Sequence, residues 1–427
     1  MKRIMTSLLL AVVLLAPAGL FAAGSQDSAA RSQTEKVTLE VWTLWTESSQ
    51  DVNAKVFNRV FEEAKLQFPE IELRHDATEN EAYKTKIKTA IAANEAPDVF
   101  FSWGAGFVKP FVDAGKVLAL DEYLTDGTAD KMNPGSASFF TFNDKIYGLP
   151  AYQWVGVLYC NTELFQKYGV KIPETYPELI TAVKTFRANG ISPIAVGEKD
   201  RWPGMFWQNA FALRTAGADL CQEALSGTAS FNRPEFVESA ARLAELVSLN
   251  AFIDGAMGLS YDEANATFLE GQVPMTYMGN WFAGNIVDSK VNGKVVVRNF
   301  PALPGSKGAP TEYLGGSIDG LCVSQQSKNK DAAVKFVKFV MERMAQELAA
   351  TGDGLPTWKV PEATGQINPI TKQIVELSKD ATGYVLAWDT FLEGADAQEH
   401  LNLVAEIYGG KLSPADFARN MQKLNEN

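Results

Sequence analysis

Apolar and polar residues alternate over Val37–Trp45 (VTLEVWTLW), with Val37, Leu39, Val41 and Thr43 on one face, and this period of two predicts a strand. The spacing then changes. Between Asp51 and Phe68, Val52, Val56, Val60 and Ala64 recur every four residues beside Phe57 and Phe61, the signature of an amphipathic helix, and Pro69 stops it. Glu70–His75 returns to an extended pattern, so the first forty residues of this stretch read as a βαβ unit with a parallel sheet and a right-handed crossover. A helix over 81–94, a strand over 98–101 and a short helix over 107–114 continue the pattern. An extended run over 152–160 follows, then Thr175-Tyr176-Pro177-Glu178, a capping box that opens a helix reaching about Asn189. Further strands are expected at 191–196, 273–278, 294–300 and 319–323. Helices are expected at 232–249, 261–270 and from Asn329, where Ala333, Val337, Val340 and Met344 share a face. Beyond Gly352-Asp353-Gly354 the pattern is helical with no clear strand.

The N-terminus breaks this alternation. Lys2 and Arg3 precede an apolar run from Ile4 to Leu15, and small residues continue through Ala30, as in a secretory signal peptide. Ala16-Pro17-Ala18 and Ala22-Ala23-Gly24 both offer cleavage sites. The second is preferred, giving a leader over 1–24 and a polar lead-in over 25–36. Pro17 and the shortness of the run argue against an uncleaved anchor. No cysteine stands at the cleavage point, so no lipid anchor is expected; the first is Cys160.

Charge and composition narrow the function. With 39 Lys+Arg against 51 Asp+Glu, the 427-residue chain carries a net charge of −12, which disfavours nucleic acid and anionic lipid as partners. The length suits two or three domains. Cys160, Cys221 and Cys322 lie far apart without a CxxC, leaving at most one incidental disulfide. His75 and His400 sit in contexts unlike a triad or an HExxH helix, and both read as surface or turn residues. GxxxxGK[ST], GxGxxG and GxSxG are all missing. A glycoside hydrolase needs only two carboxylates, so the missing motifs leave that class open.

Tryptophan is plentiful instead, and several of the nine stand beside planar polar groups: Trp45 near Glu47, Ser102-Trp103, Gln153-Trp154, Arg201-Trp202, Trp207-Gln208, Asn280-Trp281 and Trp388-Asp389. In α/β sheets the carboxyl ends of strands form the ligand crevice, and Trp45 and Trp103 end the first and third strands. An indole face covers the C–H face of a pyranose while amides and carboxylates bind its hydroxyls, so this pairing suits a carbohydrate site. Trp42, Trp154 and Trp358 read as core; Trp202, Trp207 and Trp388 suit either role. Arg201, Arg214 and Lys109 could meet an acidic sugar, although each reads more simply as a surface charge.

The ordered segments FEEAKLQFPEIEL (61–73), APDVFFSWG (96–104), DAGKVLALDEYL (113–124), DKIYGLP (144–150) and VLYCNTELFQKYGVKIPETYPEL (157–179) carry a resemblance, extended by FLEGQVPMTYMGNW (268–281), LGGSIDGLCVSQQSKNKDAAVKFVKFVM (314–341) and Gly354-Leu355-Pro356. Together they resemble the family 1 extracellular solute-binding proteins of ABC sugar importers, the group that includes maltose-binding protein. The resemblance implies an α/β, two-lobe periplasmic-binding-protein fold with a hinge and an interlobe ligand cleft. It maps lobe one to 37–148 plus 317–352 and lobe two to 149–316 plus 353–427, with crossings near Gly148-Leu149-Pro150 and Gly315-Gly316-Ser317. The candidate sugar-binding set is Trp45, Glu47, Trp103, Gln153, Trp207, Asn280, Trp281, Asp319 and Trp388. Trp281 carries the stacking role of the family's GNW-like motif. Cys160 departs from the Tyr usual there. The implied protein is an exported, periplasmic monomer that delivers a mono- or oligosaccharide to ABC permease transmembrane subunits, with no metal, cofactor or catalysis. A secreted carbohydrate-active enzyme and a ligand-binding sensor for a chemoreceptor are the alternatives.

Overall fold

The computed structural model describes residues 36–49, 51–351, 354–361 and 368–426. The leader, both cleavage sites and nearly all of the lead-in lie outside the described residues. No helix among the described residues is long and apolar enough to cross a membrane.

The strands of the two main sheets are, in chain order, β1 (Val37–Thr43), β2 (Ile71–Ala77), β3 (Val99–Trp103), β4 (Gly148–Pro150), β5 (Tyr152–Asn161), β6 (Met275–Gly279), β7 (Val295–Arg298), β8 (Glu312–Gly316), β9 (Asp319–Val323), β10 (Leu355–Pro356) and β11 (Gly383–Val385). The first sheet has the order β2-β1-β3-β9-β4. Its β2, β1 and β3 are parallel, as the alternating pattern predicts, while β9 returns antiparallel to both β3 and β4. Helix α1 (Val52–Gln67) turns Val56, Phe57, Val60 and Phe61 inward, and α2 (Asn80–Ala93) does the same with Tyr83, Ile87 and Ile91. A late helix, Lys330–Thr351, packs on α1, so residues from both ends of the chain share this core. The second sheet is organised around β5, whose antiparallel partners are β8, β10, β6 and β7; β8 also pairs with β11 in parallel.

Two separate apolar cores follow. One runs from Leu39 to Tyr152 and resumes from Leu321 to Trp358; the other runs from Trp154 to Ile318 and resumes from Ile370 to Met421. The chain therefore passes between them within β5, between β8 and β9, and after Trp358. Trp358 fills the first core, its indole donating to the Pro150 carbonyl at 2.8 Å, whereas the expected division assigns it to the second. The β8–β9 passage depends on glycine: Gly315 and Gly316 hold φ of +154° and +155°, and a Cβ on Gly315 would sit 2.2 Å from the Trp154 carbonyl oxygen.

Several sequence expectations change here. Residues 191–196 form no regular strand; Ile194 alone makes parallel bridges to Phe252 and Met275, because the segment only grazes the sheet. The region after 354, expected without strands, contributes β10 and β11, too short to show a period of two. His400 is fully buried against Trp388 and is no surface histidine, while His75 is half-buried in β2, where it packs on Phe57 and Phe61. Arg214 is also buried, its guanidinium donating to the carbonyls of Phe300, Ala309 and Glu312. Lys109 pairs with Asp113 and Glu393. All three cysteines are free and buried, Cys160 and Cys221 in the second core and Cys322 in the first, and burial pushes the Cys160 thiol up to about 12.

Candidate functional site

Between the two cores lies a cavity of about 880 Å³, walled by residues from both. Its first wall is built at the ends of β1 and β3 and on the helices that follow. Asp51 caps α1, its Oδ1 accepting from the Asn53 N–H at 2.7 Å, which fixes the carboxyl at the cleft. Trp45 lines the cavity but is 1% exposed and wedged against Phe57 and Phe101. Trp103 is half-buried, edge-on to Phe101 and Phe107 at 4.9 and 4.8 Å, with the Lys84 ammonium 5.4 Å over its ring. Lys84 is itself paired with Glu81 at 2.8 Å.

The opposite wall is more aromatic. Trp154 stacks on Phe206 with centroids 5.3 Å apart and planes 13° apart, and Trp281 stands edge-on to Trp154 at 5.3 Å. Trp202 bridges Phe206 and Tyr261 at 5.1 and 5.0 Å. Asp319, at the start of β9, and Tyr152, at the start of β5, face each other on the cleft floor. Burial pushes Asp319 up to about 7, with the nearby Asp51 charge adding to the rise; burial likewise brings Asp51 up to about 6.

Of the expected site residues, Trp45, Trp103, Trp281 and Asp319 line this one cavity. The structure places five elsewhere. Trp207 and Trp388 are 0% exposed in the second core, so their indoles are packing groups. Trp207 follows Phe206 by one helical residue and therefore turns away from the cleft that Phe206 lines. On Trp388–Phe391 it is Asp389 and Thr390 that reach the cavity. Gln153 lies between two lining residues, Tyr152 and Trp154, and strand alternation points it to the other face. Asn280 is buried, its Oδ1 accepting from the Val155 N–H at 3.1 Å, which ties the loop carrying Trp281 to β5. Glu47 is exposed outside the lining. Sequence reasoning missed Asp51 and Tyr152; Trp154, read as core, is 2% exposed in the second core and lines the cavity as well. The run Tyr152-Gln153-Trp154, read with a period of two, contained the signal for the last two.

Two walls of indole and phenyl rings, each hinged to the other by three chain passages and carrying carboxylates between them, form a receptacle for a flat, hydroxyl-bearing molecule. The family profile described as "Bacterial extracellular solute-binding protein" matches residues 48–347. The chain belongs to this family. Among solute-binding relatives, the multiple sugar-binding protein of Streptococcus mutans is 24% identical over 346 residues, 79% of each chain. A structure solved in work on xylan utilization by the thermophilic bacterium Caldanaerobius polysaccharolyticus is 43% identical, covers 91% of this chain and 99% of its own, and superposes with a TM-score of 0.86. A chitin oligosaccharide binding protein is 27% identical over 92% of this chain and 98% of its own, with a TM-score of 0.82. The solute-binding relatives are binding proteins, and the α/β, two-lobe periplasmic-binding-protein fold expected from the segment order is the one present here.

Proposed function

We propose that this chain captures a saccharide between its lobes and presents it to the transmembrane subunits of an ABC permease, in the periplasm and as a monomer. The observation that carries the reading is the pair of aromatic walls, Trp103 on one side and Trp154, Trp202 and Trp281 on the other, around one cavity. Pyranose rings of a short oligomer slide their C–H faces onto such surfaces, and the Asp51, Asp200 and Asp319 carboxyls accept from the hydroxyls. The xylan setting of the 43% identical structure makes β-linked pentose oligomers the first ligands to try, with chitin oligosaccharides second. Sugar touching both lobes favours the closed arrangement, and that shape is what a permease reads. The ATP-hydrolysing motor is a separate chain, since this sequence has no phosphate loop. Lobe one is drawn as 37–152 plus 319–361 and lobe two as the remainder from 153, following the two cores.

A thermal-shift screen of xylo-, chito- and malto-oligosaccharides, followed by titration calorimetry, tests this. A shift of several degrees with one series, and sugar recovered unchanged, is expected. Release of shortened products would instead favour the carbohydrate-active enzyme, with Asp51 and Asp319 as its acidic pair.

A further inference from the structure

The cleft's charge is one-sided. Asp51 caps α1 on the first wall and Asp319 sits on the floor, and Glu79, Asp200, Asp262 and Asp389 add four more carboxylates from both walls. Against them, and Glu81, stand two ammonium groups. Lys84 is already spent on Glu81 and the Trp103 ring, and Lys199 is exposed. The carboxylates outnumber their counter-charges to the point of repelling one another: besides burial, Glu79 and Asp200 hold the Asp262 carboxyl above its ordinary range, and Asp200 and Asp389 do the same to Glu81. Among the described residues no arginine lines the cavity; Arg201 is adjacent in sequence but absent from the wall, and Arg214 is buried among carbonyls.

Resting on the saccharide reading above, we propose that the cleft selects by charge, admitting neutral oligosaccharides and refusing those that carry a carboxylate. An acid group enclosed here would find no guanidinium fork among the described residues, and the one unpaired ammonium, the exposed Lys199, stands against seven carboxyls, so like charge prevails across a low-dielectric gap. The aromatic walls are indifferent to that charge, so the discrimination falls to the carboxylates. A neutral sugar loses nothing, because its hydroxyls donate to the same oxygens that turn the acid away. The protein would then take up the unsubstituted fragments of an acid-decorated polysaccharide and leave the acidic ones outside.

The test uses matched ligands made from the shortest neutral oligosaccharide that binds in the screen, so that both ends lie between the lobes. Its reducing end is reduced to the alditol or oxidised to the aldonate, two open-chain ends that differ in one group, CH2OH against COO−. Calorimetry of the mature chain should show the aldonate binding at least about 30-fold more weakly than the alditol. The gap should narrow in about 0.5 M NaCl, where screening shortens. It should also narrow by roughly tenfold in the Asp200→Asn/Asp262→Asn double variant. Equal affinities for the two ends, or a gap that neither salt nor the double variant changes, would overturn the charge filter while leaving sugar binding intact. If no neutral saccharide binds, it is the underlying carbohydrate reading that has failed, and the filter goes with it.

Discussion

Trp281 owes its position to the residue two places before it. Gly279 ends β6, and a Cβ there would lie 2.0 Å from the Trp281 ring, so the indole lies directly over the glycine. Trp281→Ala should cost about 1–3 kcal/mol of sugar affinity with the fold intact, read by calorimetry and circular dichroism. Gly279→Ala should give a comparable loss by displacing the ring, and the two changes together should be far from additive. Asp319 gives a pH signature. Its folded value of about 7 lies above the ordinary carboxylate value of 3.8, so the native state keeps a proton that the unfolded chain has lost. Its stability contribution is complete below about pH 4 and is lost as pH rises toward 7. Asp319→Asn removes that slope, and thermal melts should show Tm raised by roughly 2–4 °C at pH 8 and unchanged at pH 4. At this scale the sequence marked Trp103 and Trp281 because each follows a strand end beside a polar residue. It misled at Trp207 and Trp388, because an indole next to an amide or acid looks the same whether the helix turns it inward or outward.

Among the elements, the helix Trp202–Ala216 shows how the second wall is held. Its N-terminus follows Arg201, a non-glycine residue at φ +66°, and a short turn that buries Glu198 completely with both carboxyl oxygens unpartnered. Burial holds the Glu198 carboxyl well above its ordinary range, so it too keeps its proton as the unfolded chain loses one. Glu198→Gln should therefore match the parent near pH 4 and gain on it by about 1.4 kcal/mol per pH unit above the unfolded value, until the folded group ionises. Denaturant melts at pH 4, 6 and 8 measure this; a constant offset would show that packing, not protonation, sets the difference. The long periodic elements, α1, α2 and the Lys330–Thr351 helix, were legible because one face of each is apolar over several turns. The segment 191–196 was misread because burial alone produces a short apolar run without strand pairing, and β10 and β11 are two and three residues long.

For the whole molecule, the order of segments carried more than any one motif: a first core completed by residues some 170 positions later in the chain cannot be read from local pattern. The resemblance, not the local pattern, pointed to the glycines at the β8–β9 passage, which hold φ of +154° and +155°. Exposed ion pairs join the halves away from that passage, Lys55 to Asp288 at 3.6 Å and Lys109 to Glu393 at 3.3 Å. Each contributes about 0.2–1 kcal/mol to the closed arrangement at low salt. Lys55→Ala/Lys109→Ala should thus weaken sugar binding by roughly two- to tenfold and enlarge the radius of gyration of the unliganded chain in X-ray scattering. Unchanged scattering and affinity would remove these pairs from closure.

The buried thiols have a use that sugar capture does not touch. Cys322 lies in one half and Cys160 and Cys221 in the other, each sealed from solvent and kept protonated by its surroundings. An alkylating reagent is blind to all of them until the surrounding half comes apart. Mapping which thiol is tagged first during a slow denaturant ramp would therefore time the loosening of each half on its own clock, without any engineered label.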